Sequence, residues 1–293
     1  MADMTSTTLA SWTPEVWSSK ANVSYRTNTV LVPLTDHRWE DELTPGRGDT
    51  VNIPGFTQNI TPNNRGAGAG TFGTGAGLTF DATTEGQTQA TVNRFYYKAH
   101  RAPVEAKAQT MPSYWQMLID GAGQAIQIQI DADLGADNTN GIDNAGSTVG
   151  TDNVDLTEDD ILSAQTTLDN NNAPTGGRYG VFSPASMASL RKVEAYRNSL
   201  YASQGALAGD RGAGYQGKIG TLEVYMSNNL EAGTAGKKNG IFHREFIAFI
   251  EQIGLTTASD LNIEDGVFNQ WVTYNTCGFK IIKSSFGVEA DGK

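Results

Sequence analysis

Few stretches of this chain carry residue types that could do chemistry, and each depends on the element that would hold it. Gly68, Gly70 and Gly73 stand at the G-x-G-x-x-G spacing of a dinucleotide-binding turn. Such a turn needs a strand before it and a helix after it, so that pyrophosphate meets the helix N-terminus. These glycines lie inside a Gly/Thr/Asn-rich tract, which reads as a flexible loop. Gly212 to Lys218 (GAGYQGK) approaches a phosphate-binding loop, but Ile219 stands where a Ser or Thr should reach Mg²⁺ and no apolar strand precedes it. Asp131, Asp133 and Asp137 are spaced like part of a Ca²⁺ loop without its central Gly or its ligand order, and suggest at most a loose surface cation site. His37, His100 and His243 are scattered, with no partner at metal-ligand spacing. His243, at a strand end beside Glu245, reads as a polar edge residue. There is no G-x-S-x-G elbow. Arg47, Gly48 and Asp49 form an RGD tripeptide where a strand begins, and turn chemistry accounts for it. The pattern gives no positive sign of catalysis, so the expectation is a non-enzyme with no cofactor and no metal.

The chain has 293 residues and a formal net charge of −11. Clustered Lys and Arg, which phosphate binding requires, are missing, so no sequence-specific nucleic-acid binding is expected. One cysteine, Cys277, excludes an intrachain disulfide framework. The first residues have no basic n-region or apolar h-region, and no apolar run is long enough for a bilayer. The reading is a chain made in a cytoplasm, with no membrane partner.

The element that organises the rest runs from Gln109 to Leu134. Met111, Trp115, Leu118, Ala122, Ile126 and Ile130 recur at three- and four-residue steps, which predicts one apolar helix face. Pro112 suits its first turn. Gly121 and Gly123 weaken it, and Asp131 and Asp133 lie at the wrong end of its dipole, so the helix must depend on packing. Before it, Thr13 to Trp17 reads as a capped short helix and Thr29 to Leu34 as a short strand. Gly48 to Phe56 and Thr91 to Ala102 read as strands, the latter packing Val92, Phe95 and Tyr97. The polar tract between them, 57–90, is too long for an ordinary loop in a compact domain. Residues 46–102 are therefore expected to form a long hairpin arm ordered from outside its own subunit.

After the helix, Gly135 to Asn153 reads as a surface loop, and α/β character begins at Val154. Thr157 can cap a helix with Ile161, Leu162, Ala164 and Leu168 inward. Arg178 to Ser183 reads as a strand, and Ser183–Pro184 opens a second helix with Met187, Leu190 and Val193 inward. Residues 198–220 read as a loop and Thr221 to Ser227 as a strand. Gly240 to His243 is strand-like. Arg244 to Ile253 then has Phe246, Phe249, Ile250 and Ile253 at helical spacing, with Gly254 as a stop. Val267 to Glu289 reads as closing strands.

This order resembles the major capsid proteins of tailed bacteriophages, the Hong Kong ninety-seven-type fold. The stretch Leu156 to Val193 carries the resemblance best: a helix, a Pro-containing turn, an Arg-led strand ending in Ser–Pro, and another helix. Lys218 to Leu230 and Gly240 to Gln252 resemble the family's next two segments. The resemblance implies an α+β fold with an N-terminal arm (1–45), an extended β-hairpin loop (46–102), a peripheral domain with a long spine helix and β-sheet (103–153), an α/β axial domain (154–262), and a return to peripheral strands (263–293). It also implies self-assembly into hexamers and pentamers of an icosahedral shell around double-stranded DNA. The implied partners are copies of itself, a separate scaffolding protein, a portal protein and, optionally, a cement protein. Residues nominated for inter-subunit contacts are Trp12, Trp17, Arg47, Asp49, Phe56, Arg65, Phe72, Phe80, Arg94, Tyr96, Arg197, Tyr201 and Arg211.

The sequence departs from the family in two places. Residues 46–97 contain no lysine, the first being Lys98, so a covalent cross-link through this loop is not expected. A fused scaffolding segment or a large inserted domain is likewise not expected. Gly121 and Gly123 become candidate bend positions in the spine. The alternatives are an encapsulin-like nanocompartment shell on the same fold and a receptor- or carbohydrate-binding surface protein, with an enzyme third.

Overall fold

The computed structural model describes residues 29–43, 48–57, 84–109, 112–137, 139–193, 196, 215–263 and 266–293. After 3-10 turns at Val32–Leu34 and Glu40–Glu42 come β1 (Thr50–Thr57), β2 (Thr84–Thr91), β3 (Arg94–Pro103), α1 (Val104–Gln109) and α2 (Pro112–Ala136). The second half contains β4 (Thr148–Gly150), α3 (Glu158–Asn170), β5 (Arg178–Phe182), α4 (Pro184–Leu190), β6 (Tyr215–Ile219), β7 (Leu222–Met226) and β8 (Lys237–His243). It closes with β9 (Ile247–Asn262), β10 (Phe268–Ile281) and β11 (Gly287–Gly292). β1 and β2 pair as an antiparallel hairpin, β3-β10-β9 form a three-stranded sheet, and β4-β11-β8-β5-β7-β6 form a six-stranded mixed sheet.

α2 is the spine. Ala122, Ile126, Ile130 and Leu134 are buried, and Trp115 and Leu118 half-buried, as the apolar spacing predicts; Met111 lies outside the described residues. Trp115 stacks on Trp271 of β10 with ring centroids 4.9 Å apart. The C-terminal half of the helix packs against Val30, Leu31 and Leu34, so the arm's foot is part of the same core.

α3 starts as its sequence dictates: the Thr157 hydroxyl accepts from the Asp160 N–H, and Asp160 accepts from the Thr157 N–H. Ile161, Ala164 and Leu168 are buried, but Leu162 is 59% exposed because it lies about 100° around the helix from Ile161. The Arg that leads β5 has a structural task. Arg178 is 1% exposed, donates to the carbonyls of Ala173 (2.6 Å) and Pro174 (2.8 Å), and pairs with Asp169, closing the turn after α3. Ser183 caps α4 and Pro184 opens it; Met187 and Leu190 are buried, whereas Val193 lies beyond the helix end, half-buried.

Several elements differ from the sequence reading. The partner of β1 is Thr84–Thr91, inside the presumed loop, while Arg94–Pro103 continues into the three-stranded sheet. The foot of the hairpin is also packed within the subunit: Val51, Ile53, Ala90 and Val92 share a core with Ala248 and Ile250. Thr29 to Leu34 is not a strand; Pro33 sits in a 3-10 turn. Arg244 to Ile253 is not helical. Phe249 faces the spine's core and Ala248 and Ile250 face the hairpin's core, so this strand is buried on both sides. A short continuous apolar run of that kind looks the same for a buried strand and a helix segment. The 135–153 tract buries Ile142 and contributes β4, and the 198–220 loop contains β6. The closing residues divide: β10 joins the three-stranded sheet, while β11 inserts between β4 and β8, with Val288 and Ala290 fully buried. The predicted helix at Thr13 to Trp17 lies outside the described residues.

Candidate assembly surfaces

The spine and β3 are joined by a polar tie. Arg94 pairs with Asp133 (3.1 Å) and Asp137 (2.8 Å), its guanidinium lies 4.2 Å over the Phe279 ring, and the Tyr96 hydroxyl donates to Asp133. Burial and the Asp133 carboxylate raise the Tyr96 pKa, so the phenol keeps its proton as donor. Asp131 is fully buried. One of its oxygens accepts the N–H groups of Val30 (3.0 Å) and Leu31 (2.6 Å), and the other accepts from the Asn229 side chain (3.0 Å). The acids that oppose the spine's dipole are therefore structural fasteners. They are engaged with protein groups, which corrects the loose cation-site reading, and among the described residues no group of three or more His, Cys, Asp or Glu could hold a metal ion.

The opposite face of the three-stranded sheet is open. Along β10, Trp271, Thr273, Asn275 and Cys277 are buried while the residues between them are only half-buried. Tyr97 lies opposite Tyr274, and Phe95 opposite Thr276. Phe95 is 59% exposed and Tyr97 64%, and the Phe95 ring lies 5.8 Å from both Tyr97 and Tyr274. The sequence reading placed Phe95 and Tyr97 inside. They face outward, with Arg94 and Tyr96 turned toward the spine. Beyond Gly254 the edge strand β9 is exposed, and Leu255, Leu261, Ile263 and Val267 add apolar surface around that end of the sheet. A long exposed edge and a contiguous apolar face are liabilities for a monomer and normally mark an interaction surface.

Of the nominated contact residues, Arg94 and Tyr96 are committed inside the subunit by the tie just described. Asp49 is exposed at the start of β1, where its carbonyl accepts the Val92 N–H at 2.7 Å. Phe56 lies in β1, with its side chain outside the description. Trp12, Trp17, Arg47, Arg65, Phe72, Phe80, Arg197, Tyr201 and Arg211 lie outside the described residues, as do Gly68 to Gly73. Phe95, Tyr97 and Asp131 were missed. The only sequence signal for Asp131 was an acid where a helix end disfavours one; one strand's alternation cannot say which of its faces is buried.

The remaining chemical candidates resolve into structure. Gln216, Gly217 and Lys218 of the phosphate-loop-like motif lie in β6, a strand where a phosphate loop would lead into a helix. His243 is 6% exposed rather than an edge residue; its Nε2 lies 3.0 Å from the Gly176 carbonyl and its Nδ1 accepts the Glu245 N–H. Burial lowers its pKa, matching the neutral ring. Cys277 is fully buried with its thiol pushed up to about 12, which leaves it inert. Where β8, β11 and the turn Ile142–Asn144 meet, Lys238 lies 3.5 Å from Glu289 and 3.7 Å from Glu231. Burial, with neighbouring carboxylates, pushes Asp143 to about 6 and Glu289 to about 7. Among the described residues, no helix is long and apolar enough to cross a membrane.

No family model and no curated protein matches the chain. Solved structures do. A chain from Mycobacterium phage Che8 superposes with a TM-score of 0.74 at 19% identity, covering 96% of this chain and 98% of its own. The capsid structure of Cyanophage P-SCSP1u gives 0.70 at 15% identity, covering 97% and 94%. The fold is that of tailed-phage capsid proteins. The capsid of Ralstonia phage GP4 agrees, with a TM-score of 0.65 at 13% identity over 96% and 95%. Coverage is near-complete on both sides, so the likeness of fold is not confined to one part of the chain.

Proposed function

We propose that this protein is the major capsid protein of a tailed bacteriophage, a structural subunit that assembles into hexamers and pentamers of an icosahedral shell around double-stranded DNA. The observation that carries the reading is the capsid-fold match over 96% of the chain. The open aromatic face of the three-stranded sheet and the exposed end of β9 support it, because they offer the contact surface a shell subunit needs. Stable obligate interfaces bury more than ~2,000 Å² in total, far more than a crystal contact. The net charge of −11 suits a wall that must not adhere to packaged DNA. The protein then resides in the virion after assembly in the host cytoplasm. Its partners are further copies of itself, a separate scaffolding protein, a portal protein and, optionally, a cement protein. Without a lysine in residues 46–97, neighbouring subunits are held non-covalently through the loop.

The test is expression alone and with a scaffolding gene from the same cluster, followed by size-exclusion chromatography and electron microscopy. Closed shells tens of nanometres across are expected, and a stable monomer under every condition overturns the reading. Replacing residues 58–83 with a short Gly/Ser linker leaves β1 and β2 able to pair and keeps the hairpin foot. That variant should fold and fail to assemble; normal shells from it would remove the extended loop from the account.

A further inference from the structure

The outer edge of β9 changes character along its length. Near its start it is covered: Asp36 bridges Ala248, and the Gln252 side chain donates to the Gly48 carbonyl at 2.8 Å. Beyond Gly254, among the described residues, β9 pairs only with β10, and Leu255 to Leu261 are all exposed. The spine packs mainly across β10 and β3. Unpaired edges are normally blunted by charge. The other edge strand of this sheet, β3, carries Arg94, Lys98 and Arg101. From Gly254 to Asn262, β9 carries one charge, Asp260. Its carboxylate accepts the Leu261 N–H at 2.8 Å, standing where the carbonyl of a partner strand would. Leu261 therefore turns its N–H outward, and by the alternation of an antiparallel strand so do Ser259, Thr257 and Leu255.

This edge is complementary to itself. When two copies run antiparallel about a two-fold axis, outward N–H meets outward C=O only if odd-numbered residues face odd-numbered ones, so the axis must pass through a residue. With the axis at Ala258, Thr257 lies opposite the second copy's Ser259 and Asp260 opposite its Thr256. Leu255 then lies opposite Leu261 at each end of the ribbon, and both leucines are exposed in the single subunit, at 42% and 51%. The small Ala258 side chain meets its own copy at the axis, a pair without hydrogen bonds, where side chains approach most closely. An axis at Asp260 would instead set two carboxylates directly opposite each other, which is destabilising.

We infer that the Leu255–Leu261 edge of β9 pairs with the same edge of a second copy of this chain, antiparallel about a two-fold axis at Ala258. The inference rests on the shell reading, because a strand pair of this length buries much less than the ~1,200 Å² of a stable interface and needs other shell contacts beside it. Neighbours around one hexamer or pentamer meet through unlike surfaces, whereas a two-fold contact uses the same surface on both sides. The β9 pair therefore joins subunits of adjacent rings.

The experiment uses shells of the full chain carrying Ala258→Cys, oxidised mildly and run on a non-reducing gel. Cα atoms of such a pair lie ~4.5 Å apart, inside the ~4.4–6.8 Å span of a disulfide. The native Cys277 is buried and stays reduced. Most of the chain should run as a disulfide dimer, at least tenfold more than with Thr256→Cys or Asp260→Cys alone. The double variant Thr256→Cys/Asp260→Cys should restore the dimer. Ser259→Pro removes an outward N–H, which a lone edge strand tolerates; that subunit should melt like the parent and fail to form shells. Shells without an Ala258→Cys dimer overturn the pairing and leave the shell reading standing, as do equal dimers from the single controls or normal shells from Ser259→Pro. A parent chain that stays monomeric under every condition overturns both.

Discussion

Replacing Asp131 with alanine should detach the arm's foot from the spine. The carboxylate is fully buried and accepts two backbone N–H bonds, from Val30 at 3.0 Å and Leu31 at 2.6 Å, plus one from Asn229 at 3.0 Å. Hydrogen bonds to a charged group contribute about 1.5–3 kcal/mol each, so the gross loss is large. Against it stands the cost of burying the carboxylate, visible as a pKa raised by desolvation. Asp131→Ala leaves two backbone N–H groups and the Asn229 amide without their acceptor, at about 1–3 kcal/mol for each buried donor, so a loss of about 3–5 kcal/mol is expected. Asp131→Asn keeps one carbonyl oxygen for the two N–H groups and should lose only about 1–2 kcal/mol. Urea unfolding of the unassembled subunit, followed by tryptophan fluorescence, reads both. A loss below about 1 kcal/mol for the alanine variant, no more than one ordinary hydrogen bond, would refute the fastener. So would an asparagine variant as damaged as the alanine one.

Gly121→Ala should stabilise the subunit by about 0.5–1 kcal/mol, since helix propensity improves and the added Cβ meets nothing within 4 Å. Gly123→Ala should bring no such gain, because Leu255 must give way; a thermal-melt series compares them. His243 has a lowered pKa, so below about 6.5 the unfolded chain takes up a proton that the native ring resists. Its contribution is complete above that pH and declines as pH falls, and His243→Gln should flatten this part of a stability-versus-pH curve measured in urea. Glu289 acts in the opposite sense: with its carboxyl raised to about 7, its contribution is present at low pH and is lost as pH rises through that value. Glu289→Gln should therefore raise stability at pH 8 relative to the parent and change it little at pH 4.

The strongly periodic and capped elements were legible in the sequence. The stripe from Trp115 to Ile130, the Thr157 capping box and the Ser183–Pro184 start are local consequences of residue order, and the structure has them where the chain spells them. β9 was not legible, because a strand buried on both faces carries no period-two signal. Nor was the pairing of β1 with Thr84–Thr91: polar strand residues such as Gln87 and Gln89 resemble loop until a partner supplies the ladder. The open face was misread because alternation identifies two faces of β3 but not which one the spine will cover.

The sequence by itself determined the apolar face of the spine and the capped starts of α3 and α4. Those follow from interactions between residues near one another in the chain. Only the tertiary structure decided what Asp131, Asp133 and Asp137 are for, and that Phe95 and Tyr97 stay outside. It alone decided that β11 leaves the neighbourhood of β10 for the other sheet. Each of those outcomes depends on a partner a long way off in sequence: Val30 lies 101 residues from Asp131, and Arg94 lies 39 from Asp133. Burial and pairing are properties of the assembled chain, so a residue's type can offer a charge or a ring, but only the packed fold decides what it meets.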